Sequence, residues 1–265
     1  MIEFHKFVPQ FGMRDASPFC LKLETYLRLA ELAHVKTQLM DPSEAPKQKL
    51  PYIVDDGETI ADSALCISYL KKKYGDPLGE GLSPDQKALG HALCVMLEER
   101  TYWVMFYTRW MMPDYQKIVL EAWFGAVPAP MRDEITKKVI EDMKVGLRAQ
   151  GLSRHSEDEI FQFGIADVRA FEDALGDKPY LLGDRPAEYD ATGYAFLANF
   201  CAKPFTSPVG ICRKLQAAHR LYRAGGKGRL WLERRAKKWG PVFRKTRRAV
   251  KNLEHRSIPI NRPML

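Results

Sequence analysis

The spacing of apolar positions changes several times along this chain, and each change marks an element. Residues 2–8 alternate, with Ile2, Phe4 and Lys6 on one side and Glu3, His5 and Phe7 on the other, before Pro9 ends the run. That period of two predicts a strand. After a loop from Gln10 to Ala16, the period becomes helical: Phe19, Leu23, Tyr26, Leu27 and Ala30 recur at three- and four-residue spacing. Ser17 is a favoured N-cap residue, and Pro18 takes the first helical position, where its missing N–H costs nothing. Val35 to Met40 reads as a second strand and Pro42 to Lys49 as a polar loop. Leu50 to Val54 is a strand entered through Pro51. Asp55-Asp56-Gly57 is a hairpin signal and Glu58 to Ile60 the return strand. A further helix begins at Asp62 or Ser63 and runs to Tyr74-Gly75.

Asp76-Pro77-Leu78-Gly79-Glu80-Gly81 is rich in breakers and reads as a linker, with Ser83-Pro84 opening a fresh helix. Beyond it the pattern is almost wholly helical, over about 84–112, 128–150, 156–176 and 188–202. Ser156 and Glu159 have the spacing of a capping box. The chain thus divides into an α/β region over 1–76, an all-helical region over 83–212 and an extension over 213–265.

Composition narrows the class. With 46% hydrophobic and 28% charged residues, the 265-residue chain has the profile of a globular protein able to bury a core. It contains no apolar run long enough to span a bilayer. Its first residues lack the pattern of a secretory leader, so a cytoplasmic address is the expectation. The five cysteines, Cys20, Cys66, Cys94, Cys201 and Cys212, are odd in number and widely spaced. This favours reduced thiols over a disulfide framework, and no pair has zinc-site spacing; no metal is expected. The net charge of +8 is unevenly placed. From Arg213 to Leu265 there are 17 Lys and Arg against Glu233 and Glu254, leaving 24 basic and 31 acidic residues in the first 212.

Candidate chemistry centres on Ser17-Pro18-Phe19-Cys20. A hydroxyl at the first turn of a helix stands beside unsatisfied backbone N–H groups and the positive end of the helix dipole. A thiolate brought there is stabilised by both and accepts one more hydrogen bond from the hydroxyl. A shift of two pKa units would be worth roughly 2.7 kcal/mol, and the thiolate is the nucleophile. The plainer alternative is that Ser17 only caps its helix. Cys20 falls on the sheet-facing side of that helix, where it acts as a small hydrophobe. A redox pair is not expected, because the attacking position of a Cys-Pro-x-Cys motif holds Ser17.

The order of elements, with Ser-Pro-Phe-Cys opening the first helix, Leu-Pro opening a strand and Asp-Ser opening the next helix, resembles the glutathione S-transferases. More narrowly, Ser17 to Ala30, Lys49-Leu-Pro-Tyr-Ile53 and Ile60-Ala-Asp-Ser63 are similar to the metaxin and failed-axon-connections branch. So are Tyr102-Trp103, Gly183 to Pro186 and Asp190 to Leu197. The resemblance covers roughly residues 2–208. It implies a thioredoxin-like N-terminal domain (βαβ-ββα) followed by an all-helical glutathione-transferase C-terminal domain.

The resemblance also implies a site for glutathione as co-substrate. Ser17 would meet the sulfur as the catalytic group. Leu50 would pair its backbone with the cysteinyl unit across a cis Leu50–Pro51 bond. Asp62 would attract the γ-glutamyl ammonium, and Ser63 with its helix N-terminus would receive the carboxylate. Lys47 or Lys49 would meet the glycyl carboxylate, or stay solvated. A small hydrophobic electrophile would lie against an aromatic stripe in which Tyr102, Trp103 and Phe106 lead and Tyr107 and Trp110 follow; the other reading of the stripe is core. A homodimer is compatible with the resemblance, as is a non-catalytic adaptor of the same fold.

Two departures stand out. Ala187 replaces the Ser or Thr that opens a capping box with Asp190, a loss of about 1 kcal/mol. The basic extension lies beyond the resemblance. It reads as a self-packing or solvated helical segment, next as a contact for an anionic membrane surface or acidic partner, and last as a nucleic-acid binder, since no recognition module accompanies it.

Overall fold

A computed structural model describes residues 1–200, 202, 204 and 205. The predicted extension 213–265, Cys201 and Cys212 lie outside the described residues. All described residues belong to one compact unit, Met1–Leu221.

The N-terminal part builds β1 (Ile2–Phe7), α1 (Pro18–Leu29), β2 (His34–Leu39), β3 (Tyr52–Asp55), β4 (Glu58–Ala61) and α2 (Ser63–Tyr74). The strands form one mixed sheet in the order β2-β1-β3-β4: β1 runs parallel to β2, while β1–β3 and β3–β4 are antiparallel. This is the expected βαβ-ββα arrangement of a thioredoxin-like domain. Alternation along β1 is as read, for Ile2, Phe4 and Lys6 are all buried.

The remaining elements are helices: α3 (Pro84–Met96), α4 (Tyr102–Met111), α5 (Pro113–Phe124), α6 (Ala129–Gln150), α7 (Glu157–Leu175) and α8 (Glu188–Phe200). Ser83 and Ser156 each make both halves of a capping box. The helix expected over 84–112 is present and helical through to Met111, but a π-type turn, Leu97–Thr101, divides it into α3 and α4. A carboxylate on α7 holds the turn open: Asp167, fully buried, accepts from Thr101 Oγ1 at 2.9 Å and from the Arg100 guanidinium. An inserted residue of this kind re-aims the side chains that follow it, and those are the aromatics of α4. The reading also left α5 out. Met112 is extended before Pro113, as the residue preceding a proline prefers, and the chain restarts as a helix with Pro113 at its first position.

Helix α1 lies between two cores. Cys20, Leu23, Tyr26 and Leu27 pack with Ile2, Phe4 and Ile53 of the sheet. Leu21, on the other side, joins the helical core with Phe171, Phe196 and Leu197. Almost the whole of α1 is therefore buried, Lys22 and Glu24 included, and Lys22 meets Glu98 at 2.7 Å across the boundary. Two glycines permit the tight approach of the other helices. A Cβ on Gly193 of α8 would come within 2.4 Å of Phe171 on α7, and one on Gly90 of α3 within 2.5 Å of Tyr189.

At α8 the expected loss at Ala187 is only half a loss. The Asp190 carboxylate accepts from the Ala187 N–H and from the Leu181 N–H, each at 2.8 Å. The carboxylate half of the box survives and also ties down the preceding loop. Burial pushes the Asp190 carboxyl up to about 6, against the two amides that favour its charge.

Candidate functional site

Strand direction brings the predicted binding residues to one edge of the sheet. Because β1 and β3 are antiparallel, with His5 opposite Tyr52, the end of β1 adjoins the start of β3. Tyr52 also pairs with Ala61, so the end of β4 lies there too. Leu50-Pro51, Asp62-Ser63 and the loop that leads to Ser17 all leave the sheet at that edge.

Ser17 is the N-cap of α1, with φ −90° and ψ 121°. Its Oγ accepts from the Cys20 N–H at 3.3 Å, and its carbonyl takes the Leu21 N–H at 3.0 Å. Pro18 has no N–H, so the Phe19 amide is the remaining donor of the turn. The half-buried hydroxyl also lies within reach of the Cys20 thiol. A hydroxyl has one proton and two lone pairs, so capping leaves that proton able to turn toward a sulfur. Cys20 itself is fully buried, and burial pushes its thiol well above the ordinary range, with Asp15 adding to the effect. It is a packing residue. Cys66 and Cys94 are likewise buried free thiols, each pushed up to about 12.

The Leu50–Pro51 peptide bond is cis. The Pro51 carbonyl accepts from the Asp62 N–H at 3.3 Å, joining two of the predicted binding segments directly. Asp62 is exposed and holds φ at +92°, an unusual backbone for a non-glycine residue. Its carboxylate caps α2 by accepting from Ala64 N–H at 2.8 Å and Leu65 N–H at 3.3 Å. Ser63 is 2% exposed, tucked beneath. Lys47 reaches the Ala61 carbonyl at 3.3 Å and so approaches the same edge, while Lys49 is exposed in the loop before Leu50.

All five aromatics of α4, Tyr102, Trp103, Phe106, Tyr107 and Trp110, are partly exposed, and the buried positions of the helix, Val104, Met105, Thr108 and Arg109, are non-aromatic. Phe19, two residues from Ser17, joins this partly exposed set. Its ring lies 5.1 Å from Tyr102 and 5.1 Å from Phe196. Tyr102 then contacts Trp103 at 5.4 Å and Phe106 at 5.8 Å, and Phe106 contacts Trp110 at 6.1 Å. The stripe packs on the helical core while each of its rings stays partly exposed. Burial pushes the Tyr102 phenol up to about 12.

Beneath Ser17 is a buried charge cluster that sequence reading missed. The Asp15 carboxylate, fully buried, accepts from the Ser17 N–H at 2.8 Å. Its other oxygen lies 3.3 Å from the Lys6 ammonium without a hydrogen bond. Lys6 donates instead to Glu24 at 2.8 Å and to the Arg14 carbonyl at 2.7 Å. Glu24 also meets Arg28 at 2.7 Å and Lys36 at 2.6 Å. Burial alone would raise the Glu24 carboxyl, yet Lys6, Arg28 and Lys36 hold it well below the carboxylate range. Asp15, with one shared cation, is pushed up by burial to about 7. The available signal was Lys6 at an inward position of β1, since a buried ammonium demands carboxylates nearby.

No cluster of His, Cys, Asp and Glu among the described residues could hold a metal ion, and no helix among them is long and apolar enough to cross a membrane.

Comparison with known proteins agrees with this geometry. The description "Glutathione S-transferase N-terminal domain" matches residues 18–115, and "Glutathione S-transferase, C-terminal domain" matches residues 164–223. An isoprene-epoxide–glutathione S-transferase from a Rhodococcus species is 35% identical over 77% of this chain and 88% of its own length. Failed axon connections of Drosophila melanogaster is 34% identical over 73% of this chain, which spans about half (49%) of that longer protein. Metaxin-3 of Xenopus laevis is 25% identical over 75% of this chain and 66% of its own length. Among solved structures, the beta-etherase LigF of Sphingobium has a TM-score of 0.55 at 17% identity, covering 85% of this chain and 99% of its own. A Ceriporiopsis subvermispora glutathione S-transferase in complex with glutathione also scores 0.55, at 18% identity, covering 91% and 98%.

Proposed function

Taking as premise that this chain belongs to the glutathione S-transferase superfamily, we propose that it binds glutathione at the sheet edge beside Ser17 and adds its sulfur to a small hydrophobic electrophile. The observation that carries the reading is the cap of α1: a hydroxyl with a proton to give, beside the free amide of a helix start, directly under an aromatic wall. A thiolate bound there accepts from Ser17 and the Phe19 amide, so ionisation at neutral pH becomes more favourable. Leu50 and Pro51 offer backbone to the cysteinyl unit. Asp62 offers its carboxylate to the γ-glutamyl ammonium, and Ser63 with the α2 N-terminus receives the carboxylate. Lys49, or Lys47 from the same loop, meets the glycyl carboxylate.

Tyr102, Trp103 and Phe106 hold the electrophile near the sulfur, where orientation supplies much of the rate. The Rhodococcus relative suggests an epoxide. In that case the C–S bond forms as a ring C–O bond breaks, and the oxygen takes a proton from water. No residue of the stripe is asked to do acid–base work.

A second reading, a non-catalytic adaptor of the same fold, draws support from the near-equal identity to Failed axon connections. Calorimetric titration with glutathione, followed by conjugation to a chlorodinitrobenzene-type electrophile in wild type and Ser17→Ala, separates the two. Binding with Ser17-dependent turnover is expected. Absence of binding at millimolar glutathione would favour the adaptor, and turnover indifferent to Ser17 would identify the wrong activating group. A cytoplasmic location, a homodimer and an anionic contact for the basic extension belong to this proposal as well.

A further inference from the structure

Arg109 is a buried cation without an acidic partner among the described residues. It stands on the core face of α4, 6% exposed. One guanidinium nitrogen donates to the Ala16 carbonyl at 2.8 Å, and the other donates to the Asn199 carbonyl at 2.7 Å and to its Oδ1 at 3.1 Å. The rings of Phe205 and Phe11 lie 4.7 and 5.8 Å from the guanidinium carbon. Nε has no partner among the described residues, and Arg109 lines a small cavity with Met105, Thr108, Phe200 and Phe205. Among those residues no carboxylate lies within ion-pair distance of it. Asp15, the nearest acid in sequence to its Ala16 contact, turns its carboxylate to Ser17 and Lys6. The titratable group acting on Arg109 is the Tyr102 phenol, and burial brings the guanidinium down to about 10.

A guanidinium is seldom buried without a countercharge, because its desolvation is otherwise uncompensated. Here its three hydrogen bonds all go to neutral oxygens, one of them the carbonyl that directly precedes Ser17. Asn199 adds a second hold on the same loop, donating to the Asp15 carbonyl at 3.4 Å.

We infer that Arg109 is the charge-positioning residue of the sulfur site: it fixes the Asp15–Ala16 backbone that aims Ser17 and leaves its positive charge unspent until an anionic sulfur arrives. This rests on the glutathione reading above. The missing carboxylate is the point of the arrangement, since an acid beside Arg109 would cancel its field before any thiolate could use it. The guanidinium need not touch the sulfur, because a charge in a low-dielectric interior acts over several ångströms.

The experiment titrates the thiolate absorbance of bound glutathione against pH in wild type, Arg109→Met, Arg109→Lys and Asn199→Asp, with S-methylglutathione affinity measured alongside. Arg109→Met should raise the bound thiol's midpoint by about one unit, roughly a tenfold loss of thiolate at neutral pH. Asn199→Asp, which keeps Arg109 but supplies the absent countercharge, should shift it the same way. Arg109→Lys should stay near wild type, and affinity for S-methylglutathione, which has no thiol to ionise, should change little in all three. Should Arg109→Met fail to fold, Asn199→Asp and Arg109→Lys still decide. Coincident titrations in wild type and Asn199→Asp, or a Lys variant shifted as far as Met, would overturn the inference while leaving glutathione binding intact. A wild type that takes up no glutathione would overturn the parent reading and this one together.

Discussion

The carboxylate of Asp15 accepts the amide proton of Ser17 at 2.8 Å, so the capping serine is held by an acid that is itself fully buried. That acid titrates abnormally. In an unfolded chain it ionises near 3.8, and in the folded protein at about 7, because burial outweighs its single shared cation. Between those values the unfolded chain has released a proton that the native state retains. Stability contributed by Asp15 therefore falls as pH rises through this window and is flat above it. Asp15→Asn removes the effect. Thermal melts of both proteins should show the variant gaining on wild type from about pH 4 to 7 and holding its position beyond. A wild-type advantage that grows with pH would mean Lys6 governs the carboxyl more strongly than burial does.

Ser17→Ala should leave glutathione affinity nearly intact and lower the conjugation rate at pH 7 by about tenfold to a hundredfold, the thiolate fraction lost over one to two pKa units. It should also cost about 1 kcal/mol of stability through the lost cap. Rates recovering toward wild type at high pH would show that ionisation is what the hydroxyl assists.

Phe106→Ala tests the wall. Its ring sits between Tyr102, Trp103 and Trp110 and is partly exposed. Truncation should raise KM for an apolar electrophile about tenfold, on the order of 1–2 kcal/mol of contact, with glutathione binding unmoved. An unchanged KM would return the stripe to the core alone.

At Asp190 one carboxylate serves two amides, from Leu181 and Ala187. Asp190→Ala leaves both buried donors unsatisfied and should cost about 2–4 kcal/mol in denaturant melts. Ala187→Ser restores the missing half of the box and should gain about 0.5–1 kcal/mol.

Gly193→Ala would drive a methyl within 2.4 Å of Phe171, a fully buried ring, and should cost about 1–3 kcal/mol. Gly146→Ala meets nothing within 4 Å in the C-terminal part of α6 and should stabilise by about 0.5–1 kcal/mol. The pair separates crowding from helix propensity.

The sequence was most legible where one local rule acted alone. Alternation in β1, the Ser17-Pro18 helix start, the hairpin at Gly57, the helix start at Ser83-Pro84 and the capping box at Ser156 all depend on neighbours within four residues. The π-type turn at Leu97–Thr101 is tied to Asp167, some 66 residues on, and no window of α3 or α4 contains that partner. The start of α5 was signalled by Pro113 but hidden inside a continuous apolar pattern. Asp15 and Arg109 escaped notice for the same reason: their importance comes from what folding withholds from them. Asp15 sits in a loop with no periodicity to place it, and Arg109 is brought to Ala16 and Asn199 only by folding, from 93 and 90 residues away.

Helix α1 is walled by the sheet on one side and by α8 on the other, and the loop ahead of it is clasped by Arg109 and Asn199. Cut away from the helices, the first half would therefore bare the Leu21 side of α1 and lose both hydrogen bonds that hold the loop before Ser17. An isolated first half would keep its serine yet lose the scaffold that tells the serine where to point.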